Sequence, residues 1–126
     1  MPDDPLGRYR WQSRILLLFA PNPDDPAIRQ QLDLLRAESA GARERDLLVV
    51  LVVADSARTL DGGRIGARDA LRARFAAPAD RFRVVLVGKD GGAKLSSDQP
   101  IAAGRLFRTI DRMPMRRREM GGAQGE

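Results

Sequence analysis

The stretch from Phe82 to Leu95, FRVVLVGKDGGAKL, constrains the fold of this chain more than any other segment. An apolar run, Val84 to Val87, leads into Asp90-Gly91-Gly92, and a short second run follows. Asp-Gly and Gly-Gly pairs supply the positive φ that a tight turn between antiparallel strands requires, so the segment predicts a β-hairpin. Strand alternation puts Val84 and Leu86 on one face and Val85 and Val87 on the other. The glycines resemble a phosphate-binding loop in composition only. That loop needs Gly-x4-Gly-Lys-Ser/Thr between a strand and a helix, whereas these lie between two strands. A hairpin so late in a chain of 126 residues has to join a sheet begun upstream.

Two upstream runs supply that sheet. Ile15-Leu-Leu-Leu-Phe19 and Leu47-Leu-Val-Val-Leu-Val-Val53 are apolar without alternation, as strands buried on both faces are. The first stops at Pro21, Pro23 and Pro26. Asp25 is a good N-cap there, and Pro26 suits the first helical position. The helix that follows carries Ile28, Leu32 and Leu35 on one face and is expected to end near Gly41. A strand, helix and strand in this order make a right-handed parallel unit.

Residues 55–66 read as a loop. A second helix is expected over 66–76, with Leu71 and Phe75 inward, and a third is capped by Asp98 or Gln99 with Ile101, Leu106, Phe107 and Ile110 on its apolar face. Residues 1–13 read as an extended lead-in whose Tyr9 and Trp11 cover one side of the sheet. Pro114 marks a break from which the Met-rich tail turns to pack back on the sheet. The order is β-α-β-α-β-β-α, the minimal thioredoxin-like plan. It predicts a single α/β domain over 6–115 with flexible termini at 1–5 and 121–126. The predicted central mixed sheet has the order 2-1-3-4, its third strand antiparallel to its first, with helices flanking it.

Composition limits the chemistry. The chain has no cysteine and no histidine, a net charge of +5 and 43% hydrophobic residues. Without cysteine there is no thiolate nucleophile and no disulfide cycle. Without histidine the commonest zinc ligand and the usual general base near neutral pH are missing. No cofactor is implied; Asp55 and Asp61 with Asp24 or Asp25 could offer oxygen ligands to a hard cation, but no EF-hand spacing is present and no metal site is expected. No apolar run of about 18 residues exists to span a membrane. The first residues lack the apolar core of a signal peptide, which fits a cytoplasmic chain or the mature form of an exported one.

Several segments resemble a known family. They are Arg10-Trp-Gln-Ser-Arg14, Phe19-Ala-Pro21, Glu44-Arg-Asp46, Val87-Gly-Lys-Asp-Gly-Gly92 and Ile110-Asp-Arg-Met-Pro-Met-Arg-Arg-Arg-Glu-Met120. All are similar to the bacterial family called domain of unknown function 4174, over about residues 6–120. That family is in turn similar to URB/SRPUL-type domains of animal proteins. The resemblance implies a thioredoxin-like fold related to peroxiredoxins, no established activity and, for many bacterial members, export. This chain departs from the thiol pattern. Asn22-Pro23-Asp24-Asp25 stands where a thioredoxin has Cys-x-x-Cys, and Asp25-Pro26-Ala27 where a peroxiredoxin has its reactive cysteine. The cis-proline before the third strand is replaced by Phe82-Arg83, and a peroxiredoxin-like arginine is matched loosely by Arg81 or Arg83.

Two candidate sites follow. The fold brings Asn22, Asp24, Asp25, Asp55, Arg81 and Arg83 to one edge, where carboxylates and arginines could bind a small molecule or peptide; alternatively Asp25 only caps its helix and the arginines pair locally. The second site is the tail: Arg112, Met113, Met115, Arg116, Arg117 and Arg118 form a Met/Arg patch suited to another protein or an acidic surface. Nucleic acid is disfavoured, because no stacking aromatics are interleaved with the arginines. These features predict a non-catalytic binding or interaction module. The alternative is a non-thiol enzyme or stress-related factor using the Asp/Arg edge.

Overall fold

A computed structural model describes residues 6–53, 56–60, 63, 65 and 68–123. Five strands form one mixed sheet in the order β3-β2-β1-β4-β5. They are β1 (Arg14–Ala20), β2 (Leu47–Val53), β3 (Ser56–Thr59), β4 (Arg83–Val87) and β5 (Ala93–Ser97). β1 and β2 are parallel in the register Arg14↔Leu47 to Ala20↔Val53. β4 runs antiparallel to β1, pairing Ile15 with Val87 and Phe19 with Arg83. The β2-β1-β4-β5 order is the expected one.

The additional edge strand β3 corrects the loop expected at its position. Ser-Ala-Arg-Thr has no apolar run, and only the small side chains of Ala57 and Thr59 point inward. Its partner β2 supplies the hydrophobicity.

Every residue of β1 is buried, as its unalternating sequence requires. Its two sides feed two cores. Leu16, Leu18, Val84 and Leu86 pack with Ile28, Leu35, Leu106 and Ile110 from helices α1 (Pro26–Arg36) and α4 (Ala103–Asp111). Ile15, Leu17, Phe19, Val85 and Val87 pack with Leu71 of α3 (Arg68–Arg74) and with Leu6. The hairpin therefore divides its residues between the faces as the alternation predicts. Deleting one such buried aliphatic group costs about 2–5 kcal/mol.

Other local expectations change. The helix expected to reach Gly41 breaks after Arg36, and α2 (Ser39–Glu44) follows. Gly41 lies where α2 meets α4, since a Cβ there would stand 2.6 Å from Phe107 Cε2. α4 starts later than expected, with Ala102 as its uncapped N-cap residue. Asp98 is drawn away by Arg83, and the segment is anchored instead by Gln31. That buried amide donates to the Ile101 carbonyl and accepts from its N–H, at 2.9 and 2.7 Å.

The lead-in is a 3-10 turn, Gly7–Tyr9, rather than an extended segment. Tyr9 packs on the sheet as expected, but Trp11 does not: it is 60% exposed. Pro114 opens a fifth helix, α5 (Pro114–Ala123), with proline at the position where its missing N–H costs nothing. Met113, just before it, is buried in the core against α1 and α4. None of the described helices is long and apolar enough to cross a membrane.

Candidate functional site

Parallel β1 and β2 both end at one end of the sheet, beside the β1–α1 loop. There Asp25 caps α1 by accepting from the Ala27 N–H at 2.9 Å, and the Asn22 carboxamide accepts from the Asp24 N–H at 3.0 Å. A groove of about 710 Å³ runs alongside, lined by Asp24, Asp25, Arg29, Asp33, Arg36 and Arg58 among others. Arg81 and Arg83 do not line it. Both turn to Asp98, at 3.6 and 2.8 Å, and Arg83 also donates to the Ala76 carbonyl. The Arg83 hydrogen bond, followed by the charges of Arg83 and Arg81, holds the Asp98 carboxyl below its ordinary value. Asp55 lies outside the described residues. Of the six residues expected at this edge, the three from the β1–α1 loop therefore come together, while the two arginines stand apart from them.

The opposite end of the sheet carries buried charge. Arg14 begins β1 and is 0% exposed. It donates to the Arg45 carbonyl at 2.9 Å and to both Glu119 carboxylate oxygens at 3.2 and 3.4 Å. Lys89, in the hairpin turn and 8% exposed, donates to Glu119 and Asp46 at 2.9 and 2.8 Å. A single carboxylate from α5 thus bridges two buried cations. Burial alone would lower the lysine and raise the glutamate. The ion pairs outweigh it, holding Lys89 above and Glu119 below their ordinary values.

A second cluster continues the network. Arg45 grips Asp111 through two bonds, at 3.0 and 2.9 Å, and stacks over the Phe107 ring at 4.3 Å. Arg116 joins Asp111 at 3.0 Å and Glu44 at 2.9 Å. The Arg45 hydrogen bond is the main cause of a lowered Asp111 pKa. Of the tail residues expected to dock a partner, Met113 and Arg116 are buried inside the fold, Met115 is half-buried, and Arg112, Arg117 and Arg118 are exposed.

Beside this network lies a pocket of about 250 Å³. Trp11, Met113, Pro114 and Met115 give it apolar walls, and Arg14, Lys89, Lys94 and Arg118 line it with positive charge. Asp90, also in the lining, is occupied by Lys94 at 2.9 Å and by the Gly92 N–H at 2.9 Å. Trp11 holds a left-handed backbone, φ 71°, which costs a non-glycine residue about 1–3 kcal/mol. Its N–H donates to the Lys89 carbonyl at 2.7 Å, so the hairpin turn fixes the strained residue in place.

Reading the sequence for carboxylates and methionines missed Trp11, Arg14, Asp46, Lys89 and Glu119. Two signals were available. An arginine heads a fully apolar strand, and both lysines of the chain, Lys89 and Lys94, flank a single turn.

This architecture is thioredoxin-like. The reduced 2-Cys peroxiredoxin of Plasmodium vivax is similar to it, with a TM-score of 0.60 over 91% of this chain and 84% of that one, at 13% identity. The chain belongs to the family described as Domain of unknown function (DUF4174), which it matches over residues 5–119. Coiled-coil domain-containing protein 80 of Danio rerio is a relative, 29% identical over 134 residues. That match covers 91% of this chain but 15% of the relative, so the chain spans a small part of that protein's length. Four of the five segments that carry the family resemblance meet at the Arg14 end: 10–14, 44–46, 87–92 and 110–120.

Proposed function

We propose that this protein is a non-catalytic binding module and that it binds through the pocket between Trp11, the hairpin turn and the start of α5. The observation that carries this reading is the strained, exposed Trp11 held beside two buried cations. Backbone strain of this kind persists where the surroundings impose it, and it clusters at ligand-contacting positions. With neither thiol nor imidazole in the chain, the cation-rich pocket offers recognition rather than nucleophilic chemistry.

The groove beside Asp24, Asp25 and Arg58 supports a second reading, a non-thiol enzyme using carboxylates and arginine. One experiment separates the two. The immobilised chain is exposed to native lysate beside Trp11→Ala and an Asp24→Ala/Arg58→Ala double variant, and bound proteins and small molecules are identified by mass spectrometry. Capture lost only with Trp11→Ala supports the first reading. Capture lost only with the double variant supports the second, and capture indifferent to both overturns each assignment.

A further inference from the structure

We infer that the Trp11 pocket recognises a carboxylate attached to a flat apolar group, either a small free acid or the C-terminal residue of a chain. This rests on the binding reading above and names its ligand chemistry.

Three independent features point to an anion. Arg14 lines the pocket, and its Nε–H is the only buried side-chain polar atom without a hydrogen-bond partner among the described residues. The other two guanidinium nitrogens of Arg14 each bond to Glu119, and one of them also to the Arg45 carbonyl, so Nε is the nitrogen left without a partner. Arg118 reaches the mouth of the pocket exposed, with no ion pair among the described residues. The N-terminus of the ten-residue helix α5 also opens here, since Pro114 and Met115 line the pocket, and a helix N-terminus favours negative charge.

The choice of a carboxylate has a precedent inside the molecule. Glu119 already sits between Arg14 and Lys89, so the fold holds one carboxylate against this pair of cations. The choice of a flat apolar body follows from the Trp11 face and the Met113 and Met115 side chains, which suit an aromatic or planar group. The volume sets the size. About 250 Å³ is below the roughly 300–1,000 Å³ of pockets for drug-sized ligands, so one ring and its acid group fill it.

Trp11 is the only tryptophan, so its fluorescence reports on this pocket alone. The chain is titrated with 3-phenylpropionate, with its neutral amide, with inorganic phosphate, and with a Gly-Gly-Ala-Phe peptide carrying a free or an amidated C-terminus. The expected result is a saturable fluorescence change with the acid, at least about tenfold weaker with the amide and weaker again with phosphate. Arg118→Ala, an exposed change that leaves the core intact, is expected to weaken the acid several-fold and leave the amide unmoved. A free-ended peptide binding as tightly as the acid, with the amidated one failing, identifies a chain end as the source. Binding of the small acid alone identifies a free acid. Equal binding of acid and amide, equal binding of phosphate, or no response to any probe overturns the proposal. In those cases lysate capture that still depends on Trp11 leaves the binding reading standing, so the two fail separately.

Discussion

The two ends of the sheet handle charge in opposite ways. At the Asn22 end, Asp25 caps a helix, Asp98 collects Arg81 and Arg83, and these groups are half-exposed or exposed. At the Arg14 end, two cations are buried around one carboxylate, Glu119, which lies 105 residues from Arg14 in the chain. The first arrangement is local, adjustable and screened by water. The second ties the N-terminus of β1, the hairpin turn and α5 into one unit, and removing Glu119 takes the shared carboxylate from both buried cations. Thioredoxin-like folds that use thiols place chemistry at the first end. This chain leaves the charges of that end partly exposed and buries Arg14 and Lys89 at the second.

The sharpest way to break the contrast is to remove one carboxylate at each end. Glu119→Ala leaves Arg14 and Lys89 buried without their shared counter-charge, and breaking a buried pair in this way costs about 3–5 kcal/mol. The lower end of that range is expected because Glu119 is itself partly exposed. Asp98→Ala removes an exposed, water-screened carboxylate and is expected to shift the midpoint far less than Glu119→Ala does. Urea denaturation measures both, as midpoint shifts at unchanged slope. Equal costs at the two ends would abolish the distinction.

Acidity tests the same contrast with a smaller effect. Glu119 and Asp111 titrate below their ordinary values in the folded state, Glu119 because Lys89 and Arg14 outweigh burial and Asp111 chiefly because of Arg45. Their contribution is therefore present above the ordinary carboxylate range, about pH 4, and is lost as pH falls through the lower folded values. Lys89 is raised, so its contribution is complete below the ordinary lysine value, about 10.4, and is lost as pH rises through the folded one. The network thus acts at full strength across neutral pH and weakens at both extremes. Thermal unfolding of Glu119→Gln from pH 7 to pH 3 is expected to show a shallower acid decline than the parent. A parallel decline in both would remove Glu119 from the acid response.

What the sequence made legible follows from which forces are local. The apolar runs 15–19 and 47–53, the alternation of 84–87 and the Asp90-Gly91-Gly92 turn each depend on neighbours in the chain, and each reads correctly. Gly91 does adopt the positive φ expected of it, at 87°. The Asp25 cap reads correctly for the same reason. The buried network does not, because Arg14, Asp46, Lys89 and Glu119 acquire their roles only when four segments meet. In sequence Arg14 at the head of an apolar run and Lys89 as one of two lysines are unusual, but nothing local names Asp46 and Glu119 as their partners. Arg116 and Arg117 are adjacent and identical, yet one is buried against Asp111 and Glu44 and the other is exposed. Helical phase decides between them, and the break at Pro114 sets that phase. β3 was missed because its partner, not its own composition, makes it a strand.

The smallest expected effect asks whether the Asn22 end holds anything beyond a helix cap. Asp25→Ala removes the side chain that accepts from the Ala27 N–H, and losing an N-cap of this kind costs about 1 kcal/mol. Asp24 makes its hydrogen bond through its backbone N–H, so Asp24→Ala leaves that bond to Asn22 in place and is expected to change stability by less than about 0.5 kcal/mol. Asp25→Asn, which keeps a capping oxygen, is expected to recover most of the loss. If capping is all these residues do, the three variants follow that order and lysate capture is unchanged in each. If Asp24→Ala or Asp25→Asn abolishes capture while stability holds, the Asn22 end is a binding surface in its own right, and the two ends differ in ligand rather than in whether they have one.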